Sequence, residues 1–75
     1  MIRQLKETDR QTVLNYLYKE STYNIFIIGD IEAFGFESVF QSVYGEFDTE
    51  NNYLSVLLFY RENCVFYAHQ ERFNL

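Results

Sequence analysis

The spacing of apolar residues changes partway along this chain, and that change restricts the fold more than any single motif does. Val13, Leu14 and Leu17 recur at the spacing of one helix face, whereas from Val39 onward the period drops to two. A chain that begins with helical periodicity and ends with alternation is an α+β chain whose helices and strands are segregated along the sequence. Its 75 residues leave room for a single domain, 1–75.

Residues 2–5 form a short apolar/polar stretch that suits a strand. A helix follows over residues 9–19, where Thr8 and Gln11 make a capping-box pattern and Arg10, Asn15 and Lys19 lie away from the apolar positions. Residues 23–36 are ambiguous, because Asn24 to Gly29 alone resembles a buried strand ended by glycine. The longer window favours a helix: Phe26 or Ile27, Ile31 and Phe34 recur at helical spacing, and Gly35 stands where a C-terminal residue of positive φ belongs. Phe26, Ile27 and Ile31 are expected to face the sheet. Val39, Val43 and Phe47 then point one way, with Phe40, Ser42, Tyr44 and Glu46 pointing the other. The polar run 48–52 leads into a strand over 53–60, and Arg61, Glu62 and Asn63 lead into another over 64–69. The order is β-α-α-β-β-β, with a three-stranded antiparallel meander packed on two helices. The closing residues 70–75 are polar apart from Phe73 and Leu75, and they read as a chain cut rather than finished.

Composition removes several function classes. Hydrophobic residues make up 48% and aromatics 20%, with seven Tyr and eight Phe, which excludes low-hydrophobicity disorder and exceeds what one small core needs. Six basic residues against eleven acidic ones give a net charge of −5, and the basic residues are scattered, so nucleic acid is a poor partner. One Cys and one His fall short of a zinc site and of an internal disulfide. The start is polar where a signal peptide is apolar, and no apolar run approaches the ~18 residues of a membrane span. A soluble, non-exported protein of the reducing cytoplasm is expected, with no membrane partner.

Beside these readings stands a resemblance. The opening Met1-Ile2-Arg3-Gln4-Leu5 with Thr8-Asp9 looks like the usual start of the GNAT family of acyl-CoA-dependent N-acetyltransferases. The segment 23–36 (Tyr-Asn-Ile-Phe-Ile-Ile-Gly-Asp-Ile-Glu-Ala-Phe-Gly-Phe) resembles the N-terminal domain of two-domain bacterial GNAT-like acetyltransferases, whose chains are about three times longer. The resemblance implies a half-GNAT arrangement and, for the full-length protein, acetyl-CoA-dependent N-acyl transfer. It carries no site residue over. The family's pyrophosphate loop, Gln/Arg-x-x-Gly-x-Gly/Ala at a helix N-terminus, is absent, since Gly29, Gly35 and Gly45 all fail the pattern. The later helix with the family's tyrosine acid is missing too. The chain by itself is therefore expected to be non-catalytic and to bind no cofactor. Its partner is either the C-terminal catalytic domain of the same protein or a second copy, the latter being the choice if the chain is a standalone interaction module. An open edge on the last strand, which has no Lys or Pro, favours self-association.

Isolated side chains add little. His69 near Glu71 has the makings of a general base, but is read as a solvated strand-end residue. Cys64, with Arg61 nearby, is read as a half-buried strand cysteine rather than a nucleophile. Asp30 with Glu32, and Asp48 with Glu50, are read as solvating charge. The seven tyrosines suit either a core or an interface, and a structural role is read for most of them.

Overall fold

The computed structural model describes residues 1–69; the reading of residues 70–75 lies outside them. Strands β1 (Ile2–Gln4), β2 (Gln41–Phe47), β3 (Tyr53–Tyr60) and β4 (Asn63–Tyr67) form one antiparallel sheet in the order β1-β2-β3-β4. Helices α1 (Arg10–Leu17) and α2 (Ile25–Phe34) lie between β1 and β2 in the chain. The chain is thus α+β, with a sheet of four strands rather than three. The first strand joins the meander: Ile2 pairs with Glu46 and Gln4 with Tyr44, and the Leu5 N–H donates to the Val43 carbonyl at 2.8 Å. No helix of the described residues is long and apolar enough to cross a membrane.

The start of α1 is built differently from the Thr8–Gln11 pattern. A 3-10 turn, Glu7–Asp9, precedes the helix, and the Asp9 carboxylate accepts the Lys6 N–H at 2.9 Å. The same carboxylate takes both terminal nitrogens of Arg3, at 3.0 and 2.9 Å, so it ties β1 to the helix start. Gln11 donates instead to Asn15 at 3.0 Å. Arg3 holds the Asp9 carboxyl below the usual carboxylate range. A second 3-10 turn, Tyr18–Glu20, ends the helix.

Helix α2 carries apolar residues almost all round, so periodicity alone does not fix its phase. Ile27, Ile28 and Ile31 are buried, while Phe26 is 79% exposed and corrects the expectation that it faces the sheet. Two buried amides set that phase. Asn24 donates to the Leu17 carbonyl at 2.9 Å, joining the end of α1 to the start of α2. Gln41 donates to the carbonyls of Asp30 and Gly35, at 3.0 and 2.8 Å, joining the end of α2 to the start of β2. Gly35 has φ 70° and ψ −153°, a combination open essentially to glycine alone, and a Cβ there would meet Glu7 Oε2 at 2.9 Å.

Alternation in β2 places Gln41, Val43, Gly45 and Phe47 toward the helices. Val39 lies before the strand and stands fully exposed, so the expected row begins at Gln41 instead. The core joins Val43, Val56 and Leu58 of the sheet to Leu5, Val13, Leu17 and Ile31. Gly45 leaves room for the rings of Phe47 and Tyr53, which a Cβ would meet at 2.9–3.0 Å.

Replacing Ile31 by Asp should cost on the order of 3 kcal/mol or more, by burying an unpaired charge, whereas Phe26→Asp should fall within about 0.5 kcal/mol of the parent. Urea unfolding of both variants checks the phase of α2; equal losses would refute it. Gly35→Ala should cost about 1–3 kcal/mol in the same assay.

Candidate functional site

Two regions concentrate the chemistry of this chain, a tyrosine cluster beneath the helices and the opposite face of the sheet, which is helix-free among the described residues. The cluster forms because a register shift at Glu46/Phe47 pairs Glu46 with Ser55 and Phe47 with Tyr53, which sets Leu54 out of the regular ladder. The Tyr16 hydroxyl, buried on α1, donates to the Leu54 carbonyl at 3.0 Å and accepts the backbone N–H of His69 at 3.0 Å. Its ring stacks on Tyr53 at 5.3 Å and meets Tyr67 edge-on at 5.5 Å. Lys19 Nζ lies 5.5 Å from the same ring centre.

The hydroxyls are held as structural groups. Tyr67 Oη donates to Glu20 Oε1 at 2.7 Å, and burial, reinforced by that carboxylate, pushes its phenol well above the ordinary range. Burial also raises Tyr53, against the opposing hydrogen bond with Thr12 at 3.1 Å. Burial of both phenols, and for Tyr67 the bond to a carboxylate, makes them give up their protons reluctantly, so neither is a proton donor poised for chemistry near neutrality. The cluster clamps α1 to β3 and β4.

The other candidates do not assemble. His69 is half-buried, and its sequence neighbour Glu71 lies outside the described residues. Cys64 is exposed, not half-buried: β4 is an edge strand, and Cys64 stands opposite Phe59 on the face that no helix covers. The Arg61 guanidinium lies over Phe40 at 5.3 Å and Tyr60 at 5.7 Å, and Tyr60 belongs to the opposite row by alternation. Asp48 builds the β2–β3 turn, accepting the N–H groups of Glu50 and Asn52 at 2.9 Å each, and the Asn52 N–H foremost holds its carboxyl below the usual range. Asp30 and Glu32 are two residues apart on α2, roughly 200° around the helix axis. Among the described residues no group of three or more His, Cys, Asp or Glu is placed to hold a metal ion.

The helix-free face carries the other concentration. Its rows run Gln4–Tyr44–Leu57–Phe66 and Ser42–Phe59–Cys64 across the strands, with Ile2 beside Glu46. Ile2 is 62% exposed, Phe66 52% and Phe59 39%. Ile2, Ser42, Tyr44, Leu57 and Phe59 line a shallow depression of about 470 Å³. Sequence reading identified the alternation here but not that this row stays uncovered, because the covering layer is set by helices remote in the chain. No protein-family model, no curated protein and no solved structure matches this chain.

The raised phenol of Tyr67 gives a pH signature. Above pH ~10 the unfolded chain loses this proton while the folded chain keeps it, so stability is full below that pH and falls as pH rises through the folded value. Tyr67→Phe should remove that part of the alkaline decline and should cost about 1 kcal/mol at pH 7, where the bond to Glu20 is lost. Denaturant unfolding at pH 7, 10 and 11 reads both; an alkaline decline unchanged in the variant would sink the assignment.

Proposed function

We propose that this chain is the N-terminal, non-catalytic half-domain of a GNAT-like N-acetyltransferase, a platform on which a catalytic part of the same protein packs. The observation that supports this most is topological. The elements run strand, two helices and three strands, and β1-β2-β3-β4 are consecutive in an antiparallel sheet with β4 at the edge. A sheet so arranged can be extended past β4. That strand has one ladder partner, β3, among the described residues, and neither Lys nor Pro guards it.

In this reading acetyl-CoA is held by the catalytic part, where a glycine-rich loop at a helix N-terminus meets the pyrophosphate. The half-domain supplies a helix-backed sheet and fixes the edge that the catalytic strands join. The second reading is a standalone interaction module without enzymatic activity, favoured by the apolar face opposite the helices.

The downstream reading frame separates them. Continuation past Leu75 into a Gln/Arg-x-x-Gly-x-Gly/Ala segment is the outcome expected of a half-domain, and a stop codon directly after Leu75 would overturn it. Titration calorimetry of the 75-residue chain with acetyl-CoA should show no binding. A dissociation constant in the low micromolar range, worth roughly 8 kcal/mol, would mean that the chain holds the cofactor by itself and is not a bare platform.

A further inference from the structure

We infer that the helix-free face of the sheet is a homodimer interface, on which two copies of this chain pack face to face. Each of the four strands gives this face apolar side chains, Ile2 of β1, Tyr44 of β2, Leu57 and Phe59 of β3, and Cys64 and Phe66 of β4, beside the polar Gln4, Ser42 and Glu46. These side chains support one another, as the Tyr44 and Phe59 rings meet edge-on at 5.7 Å.

The area selects the kind of complex. Aromatic side chains run to roughly 150–250 Å² each, so the exposed fractions of this row leave on the order of 500 Å² of open apolar surface. Two such faces bury about 1,000 Å² together, the lower bound for a specific interface, which corresponds to a weak, reversible dimer rather than an obligate one. Twisted sheets pack face to face about 10 Å apart with strands nearly aligned, and a two-fold axis lets one patch serve both copies.

Charge selects the partner. Among the described residues the only charged strand residue on this face is Glu46, which stands beside Ile2 and accepts the Ser55 hydroxyl at 2.8 Å. The net charge of −5 is therefore carried almost wholly elsewhere, and like copies approach here with little repulsion. With no Lys or Arg in the rows, the face offers nothing to an anionic lipid surface. The proposal deepens the interaction-module reading, while the reading frame decides separately whether a catalytic part follows.

Sedimentation of the 75-residue chain from about 1 to 500 µM tests it, together with the rate of Cys64 alkylation over the same range. A monomer–dimer equilibrium with a dissociation constant on the order of 10–100 µM is expected, with alkylation slowed at least about fivefold as dimer forms. Phe59→Glu and Phe66→Glu should keep the parent circular dichroism and sediment as monomers throughout. A monomer at every concentration overturns the proposal. So does a dimer whose Cys64 reacts as fast as in the monomer, which would place the contact at the β4 edge or on α2. If the substituted chains fail to fold, Cys64 protection in the parent still decides.

Discussion

Four strands spaced about 4.8 Å apart make a sheet some 15–20 Å wide, and two helices packed about 10 Å apart span the same width. Among the described residues α1 and α2 cover one face of the sheet and leave the other open. Every larger feature depends on that match of widths. The core is one-sided, built from Val43, Val56 and Leu58 beneath Val13, Leu17 and Ile31. The aromatic surplus divides accordingly: Tyr16 and Tyr67 are sealed under the helices, and Phe59 and Phe66 are left outside.

The helices keep their places through polar groups as much as apolar ones. Asn24 and Gln41 are both almost fully buried, and each spends its amide N–H₂ on carbonyls at a helix end. Among the described residues Asn24 Oδ1 and Gln41 Oε1 have no hydrogen-bond partner, a cost of about 1–3 kcal/mol for each group. Apolar residues at those positions would avoid that cost but would leave the carbonyls of Leu17, Asp30 and Gly35 without these donors. The two amides act as registration pins in a core that is otherwise non-directional.

Alternation made β2 legible in the sequence, and richness in apolar and aromatic residues between the polar connections at 48–52 and 61–63 made β3 and β4 legible, although Asn63 proves to open β4. The phase of α2 was legible only in part: Ile27 and Ile31 were expected to face the sheet and are buried, whereas Phe26 was expected there and is exposed. In Ile25-Phe26-Ile27-Ile28 every rotation buries something apolar, and the choice is made by Gln41 and Asn24, one of them distant in the chain. The start of α1 was misread for a similar reason: Asp9 answers to Arg3 of β1, a tertiary partner, and the Thr8 pattern carries no sign of it. Cys64 was placed half-buried because composition cannot say which sheet face is covered. The number of tyrosines suited a core or an interface without saying which, and the geometry that makes Tyr16, Tyr53 and Tyr67 one unit lies beside the shifted register at Leu54.

The pairing of β1 with β2 also orders events in time. Leu5 meets Val43 across an intervening loop that includes both helices, whereas β2, β3 and β4 are joined by short turns. Closing a flexible loop costs an entropy that grows as about (3/2)RT ln n, so the distant pairing starts at a disadvantage of more than 1 kcal/mol against a turn of a few residues. On the ribosome the asymmetry is absolute, because β1 is made first and has no ladder to enter until β2 has been synthesised. The strand made earliest of the four therefore spends its early life without a partner, and enters the sheet only after a later strand has been made.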